Sequence, residues 1–298
     1  MLTFVRAIVI GLLQGATELF PVSSLGHSVL VPAWLGWKDL VTAQSANESF
    51  YLAFVVALHV ATAIALLVYF REDWARIIAG FFRTLRTRRI QTPDERMAWL
   101  LVVATIPAGI MGVALEHAFR VIFAKPLAAA IFLIFNGLIL LWGERVRRLS
   151  AVRRVAKIHG TKQDDPDSRR LDTLEFKEAI AVGVAQVGAL LAGISRSGIT
   201  MVAGLVRGLD HEDAARFSFL LATPIILAAG VYKVPDLLGP LGNGIRAQAL
   251  VGAIFAGVAA YFSVRFLVRF FRSNSLLPFG AYCLVAGVVS AIRFGLFG

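Results

Sequence analysis

With 298 residues, 58% of them hydrophobic and 16% charged, the chain is too apolar for an ordinary soluble domain, which is about 45–50% apolar and about 25% charged. Its net charge of +11 lies in loops between apolar stretches and lacks the aromatic interleaving of a nucleic-acid surface, so it reads as membrane topology and excludes a nucleic-acid partner. Cys283 is the one cysteine, which excludes an intramolecular disulfide.

Residues 1–36 form the first element. Arg6 and the apolar run after it have the outline of a signal peptide. Gln14 and Glu18, however, fall where an apolar core belongs, and Pro21-Val22-Ser23-Ser24 is a poor cleavage site. The segment is too long for one membrane crossing and is broken in the middle. Gln14 and Glu18 are four apart and share one helix face. Pro21 is expected to end that helix by pushing Phe20 out of the helical region. Ser23 or Ser24 is placed to cap the next helix, with His27 in its first turn if Ser24 is the cap. An ionisable group inside a membrane is a functional candidate by default, which singles out Glu18 and His27. The alternative is a structural Glu–His pair that pins the elbow. For Ser24, capping and catalysis both remain open.

Six spans of about 20 residues are predicted at 51–70, 97–115, 126–142, 212–232, 247–268 and 276–294. Helix-type spans exclude a barrel, whose strands would alternate. His59, in the first span, reads as a helix-packing histidine. Pro107 and Pro224 are expected to kink their helices, and Glu116 and His117 to lie solvated at a span end. Basic residues crowd 71–96, 144–177 and the set Arg265, Arg269, Arg272. The stretch from Ser150 to Arg170, with Asp164-Asp165-Pro166-Asp167, is expected to be a polar, mobile linker. With the basic loops inside, the spans alternate without conflict.

Residues 176–211 are again too long for one span and again broken. An offset of 172 residues places Gly11 on Gly183, Gln14 on Gln186, Ser23 on Ser195 and Gly26 on Gly198. The predicted fold is therefore all-α: six transmembrane helices plus two re-entrant helical hairpins in an inverted-topology repeat. The first repeat covers 1–145, a basic cytoplasmic linker 146–175, and the second repeat 176–298, together one integral membrane domain. Interrupted helices at matching places in two halves point to a site at mid-membrane. Re-entrant backbone is tolerated only where protein buries it or it lines a cavity.

The second elbow, Gly193 to Thr200, reads as a phosphate cradle. Glycine lets backbone approach a ligand. The hydroxyls of Ser195, Ser197 and Thr200 can donate, the Arg196 fork suits phosphate, and the helix after it opens N–H groups toward an anion. Arg196 paired with Glu18 is the structural alternative, compatible with the first until a ligand arrives. Gln186 faces either ligand or partner backbone.

These motifs resemble those of the undecaprenyl pyrophosphate phosphatases, the bacitracin-resistance proteins of bacterial envelopes. The resemblance rests on Gln14 through His27, on Ser195 through Thr200, on Phe217 through Pro224, and on Leu277-Pro278-Phe279 with Tyr282. It implies removal of the terminal phosphate of a polyprenyl diphosphate at the outer face of the bacterial cytoplasmic membrane, recycling the lipid carrier for envelope glycans. By the same resemblance Glu18, Ser24, His27 and Arg196 are the catalytic set, with either Ser24 or His27 as nucleophile. Gln14, Ser23, Gln186, Ser195, Ser197, Gly198 and Thr200 are expected to line the substrate. Two positions depart from the family. Gln14 stands where Glu is frequent, and Ala192 where Pro is usual. The first departure removes a carboxylate. A diphosphate beside Glu18 calls for a hard divalent cation, Mg²⁺ or Ca²⁺, with Glu18 and Gln14 as protein ligands, unless Glu18 is protonated. Ser24 activated by His27, or a water held by His27, is expected to attack phosphorus. No nucleotide-binding glycine loop is present, so ATP is not implied. Partners are the polyprenyl diphosphate and membrane lipids, and a homodimer is compatible with the motifs. The competing reading is a polyprenyl-phosphate flippase, which would need Arg196 and the hydroxyls but no nucleophile.

Overall fold

A computed structural model describes residues 2–44, 50–123, 125–157 and 170–296. The acidic part of the expected linker, 158–169, and the side chains of Glu116 and His117 lie outside the described residues. The chain is helical: α1 Phe4–Thr17, α2 Ser24–Trp34, α3 Lys38–Gln44, α4 Phe50–Tyr69, α5 Arg71–Thr87, α6 Pro93–Phe123, α7 Pro126–Lys157, α8 Phe176–Val187, α9 Arg196–Val206, α10 His211–Lys233, α11 Pro235–Leu238, α12 Arg246–Phe270 and α13 Leu277–Leu296. Among the described residues, six helices are long and apolar enough to cross a membrane: 50–69, 93–115, 126–149, 211–238, 246–270 and 277–296. Their outer faces carry bare apolar side chains such as Val113, Phe262 and Val285. Water would not tolerate such a continuous band, and lipid does.

Two local readings are corrected. The basic stretch after the first span is not a loop but α5, a helix with Ile78, Phe82 and Leu85 exposed on one face among its arginines. That spacing of three and four residues gives α5 an apolar face beside its basic one. The second concerns α7, which passes the expected span end at 142 and continues to Lys157. The first eight residues of the expected mobile linker are therefore helical.

The two shorter helices that precede the breaks pack in a crossed manner. Helix α1 lies along α12, and α8 along α6. At each crossing a glycine meets a backbone carbonyl. A Cβ on Gly11 would sit 2.3 Å from the Gly252 oxygen, and one on Gly183 would sit 2.4 Å from the Ala104 oxygen. Neither position has room for any side chain.

Candidate active site

The first break begins earlier than Pro21 requires. Helix α1 stops at Thr17, and 18–22 form turns. Ser23, not Ser24, then caps α2, its hydroxyl accepting from the Gly26 N–H at 3.1 Å. His27 follows one turn in, its N–H bonded to the Ser23 carbonyl. The second break mirrors this. A short 3₁₀ turn follows α8, and Ser195 caps α9 by accepting from the Gly198 N–H at 3.1 Å.

The two elbows touch. Gly193, at φ +114°, donates its N–H to Ser23 Oγ at 3.2 Å, and Ser197 Oγ donates to the Phe20 carbonyl at 3.1 Å. Asn136 of α7, fully buried, holds both: its amide donates to the Pro21 carbonyl at 2.9 Å, and its oxygen accepts from the Ser195 N–H at 2.9 Å. One side chain thus satisfies a backbone group from each break, where an unmet one would cost about 1–3 kcal/mol.

Glu18 is the centre of the cluster and is buried. Arg196 approaches its Oε1 at 3.1 Å. Its Oε2 accepts from Ser24 Oγ at 2.5 Å and from Gln14 Nε2 at 3.0 Å, and His59 Nε2 stands 3.2 Å from the same oxygen. A buried carboxylate with these partners escapes the penalty of an isolated charge. Arg196 also donates to the Ser218 carbonyl at 3.3 Å.

Ser24 and His27 are not bonded to each other, contrary to the expected Ser24–His27 couple. The Ser24 hydroxyl points to Glu18. His27 Nδ1 meets the Ser23 carbonyl at 2.7 Å, and its Nε2 meets the Tyr282 hydroxyl at 2.7 Å. The reason is the cap. With Ser23 as cap, helical geometry sets the His27 ring over the Ser23 carbonyl and away from the Ser24 hydroxyl. The second-elbow hydroxyls are turned inward as well. Ser195 and Ser197 bond each other at 3.0 Å, and Thr200 bonds the Arg196 carbonyl at 2.8 Å and Ser218 Oγ at 2.7 Å. Gly198 is packed against Leu140, Ser195 and Pro21. Gln186 stands apart: its amide donates to the Ala104 carbonyl of α6 at 3.0 Å, the backbone contact of its two expected alternatives.

His59 and Asn136 were missed as site residues. Each is a polar residue within an apolar span, and that is the one signal the sequence carried. Among the described residues no three of His, Cys, Asp and Glu gather into a metal site.

Fold and site together define a polytopic helical membrane protein with an acid, two histidines, a hydroxyl and an arginine gathered at two helix breaks. A family model described as bacitracin resistance protein BacA matches residues 7–289. The chain belongs to that family. It is 55% identical to undecaprenyl-diphosphatase 2 of Frankia alni, over 99% of both chains. It is 57% identical to the undecaprenyl-diphosphatase of Mycolicibacterium paratuberculosis and 56% to that of Mycobacterium avium, each over 99% of this chain and 98% of the relative. These relatives are named for hydrolysis rather than transport, which does not favour the flippase reading.

Proposed function

We propose that this chain is an undecaprenyl-diphosphate phosphatase: it releases the terminal phosphate of the lipid diphosphate and returns the lipid monophosphate to envelope glycan synthesis. The observation that carries the reading is Glu18 held between Ser24 and Arg196, in a full-length relative of enzymes named for this hydrolysis.

Each group has a task. Arg196 leaves Glu18 for the equatorial oxygens of the terminal phosphate, where its planar fork opposes the charge of the transition state. Glu18, with one cation fewer, takes the proton that Ser24 already shares with it. Ser24 Oγ forms a bond to the terminal phosphorus as the bridging oxygen departs with the lipid monophosphate. Water then attacks the Ser24-bound phosphorus and gives a proton to His27 Nε2, taking the place of the Tyr282 hydroxyl there; Ser24 Oγ departs with the proton held on Glu18, and inorganic phosphate leaves. Ser23, Ser195, Ser197, Gly198 and Thr200 fix the two elbows at the phosphate, and Gln14 holds Glu18.

A divalent cation, Mg²⁺ or Ca²⁺, suits the same corner. Gln14 Oε1 is buried without a hydrogen-bond partner while its amide holds Glu18. Glu18 and Gln14 would be its protein ligands, oxygen donors of the kind hard cations prefer. Bound there, it would neutralise phosphate charge.

The two breaks are read as re-entrant hairpins of an inverted repeat. The glycine crossings of α1 on α12 and α8 on α6 support this, since Gly11 and Gly183, 172 residues apart, each seat their helix on a backbone carbonyl of a long helix from the other half of the chain. The basic residues support a cytoplasmic side at α5 and an active site that opens to the outer face of the cytoplasmic membrane. Single cysteines at Thr42 and Arg88 test it: labelling from outside intact cells is expected at the first alone.

The deciding assay is phosphate release from a long-chain polyprenyl diphosphate by purified protein in detergent. Arg196→Ala is expected to lose at least about a hundredfold in turnover, and Arg196→Lys at least about tenfold, because a point charge cannot replace the fork. Wild-type protein that binds the lipid without releasing phosphate would overturn the reading.

A further inference from the structure

A cavity lies at the basic end of the bundle, away from Glu18. It has a volume of about 260 Å³ and is bounded by Glu144 to Arg148 of α7, the start of α10 and the turn between α12 and α13. Its cations are Arg147, Arg148 and Arg272. The acidic groups beside them are already engaged. Glu144 accepts from His211 Nε2 and from the Leu276 N–H, and Asp210 caps α10 by accepting from the Asp213 N–H at 2.6 Å. Arg272 is tied to Glu212 at 3.2 Å. Arg147 is different. Its charge is opposed by nearby Glu144, but its Nε is buried without a hydrogen-bond partner. A buried guanidinium nitrogen without an acceptor is costly unless something supplies one.

The place of the cavity narrows what that is. Asn136 and Glu144 are eight residues apart on α7, about 12 Å along the helix, and Ser218 and His211 are seven apart on α10, about 10 Å. The cavity therefore lies about two helical turns below the elbows, between helices that also carry the site. It is at the span ends, the depth of lipid headgroups on the basic face, where arginine pockets between helices take anionic headgroups. Its volume is below the roughly 300–1,000 Å³ of drug-sized sites and suits a small anion.

We propose that this cavity is a second phosphate-binding site, for a phosphate monoester or diester group on the basic side of the membrane, with Arg147 as its principal ligand and Arg148 as its second. It needs no nucleophile and performs no hydrolysis. The phosphate comes either from a lipid headgroup or from free phosphate.

The test is native mass spectrometry of the purified full chain in detergent, with phosphatidic acid, diacylglycerol and inorganic phosphate as probes. Phosphatidic acid is expected to be retained and diacylglycerol not. Retention should fall about tenfold or more in Arg147→Gln, the loss of one charge-assisted hydrogen bond, and less in Arg148→Gln. It should survive Arg196→Ala. Inorganic phosphate that displaces phosphatidic acid at millimolar concentration identifies the free anion as the source; failure to displace identifies the headgroup. Equal retention in wild type and both Arg147→Gln and Arg148→Gln, or loss in Arg196→Ala alone, overturns the proposal. Thermal melting of each variant guards against misfolding, and Arg148→Gln, at an exposed position, carries the test if Arg147→Gln does not fold.

Discussion

The Tyr282 hydroxyl meets Nε2 of His27 at 2.7 Å, with the two rings stacked at 5.8 Å across 255 residues of sequence. His27 Nδ1 faces the Ser23 carbonyl, which can only accept, so Nδ1 carries the hydrogen and Nε2 offers its lone pair to Tyr282. Tyr282 therefore holds the ring with its basic nitrogen toward α13. Tyr282→Phe keeps the stacking and loses the hydroxyl. Turnover is expected to fall by about threefold to tenfold, the worth of one neutral hydrogen bond, with the Michaelis constant little changed. Steady-state phosphate release in detergent reads both. A fall as deep as that of His27→Ala would make the hydroxyl itself part of the chemistry.

His59 also has both ring nitrogens occupied. Nδ1 lies 2.8 Å from the Val55 carbonyl and Nε2 lies 3.2 Å from Glu18 Oε2. Both partners are acceptors, so the ring donates in both directions. His59→Leu removes one of the three donors on Glu18 Oε2 and leaves Ser24 and Gln14 on that oxygen. Turnover is expected to drop by about tenfold to a hundredfold. His59→Gln restores one donor and should recover most of it. Equal loss in Gln and Leu variants would show that the imidazole does more than orient Glu18.

Gln14→Glu would put a second carboxylate against Glu18, where the Gln14 amide now donates at 3.0 Å. Two carboxylates at that separation need a cation or a proton between them. Less divalent ion should be needed for half-maximal activity in the variant, and its metal-free activity should be equal or lower. Magnesium titration of phosphate release after chelator treatment compares the two proteins. Superimposable titrations would put Gln14 outside the cation's ligands.

Asn136→Leu keeps the side chain's volume and removes its bonds to Pro21 and Ser195. Two buried backbone groups lose their partner, at about 1–3 kcal/mol each. A lower melting temperature in detergent and a larger fractional loss of turnover are expected, because both elbows hang from this residue. Unchanged melting would mean the elbows are held by their mutual contacts alone.

The sequence disclosed the spans and breaks because each has a local cause. Long apolar runs must cross, and a Ser-rich elbow after a helix must restart it. The sharing of Glu18 with Arg196 was readable as one of two alternatives, since a buried acid needs a cation. The partner of Ser24 was not readable. It depends on which serine caps α2, and that is settled by the Gly26 and Gly193 N–H groups both converging on Ser23 Oγ. His59 and Asn136 belong to no motif. They reach the site because α4 and α7 pack against it, which spacing along the chain does not encode. Helix α5 was hidden by its charge, which masked the three-and-four spacing of Ile78, Phe82 and Leu85.

The glycine crossings have a mechanical consequence. Helix α1, from the beginning of the chain, is seated on α12 near its end, and α8 is seated on α6 across the same divide. At Gly11 and Gly183 the backbones are in contact, with no side chain between them to slide or flex. The bundle is clasped at two places far apart in the sequence. Sliding α1 along α12, or α8 along α6, would have to part backbone from backbone, so the elbows that carry the cluster around Glu18 are braced at both crossings.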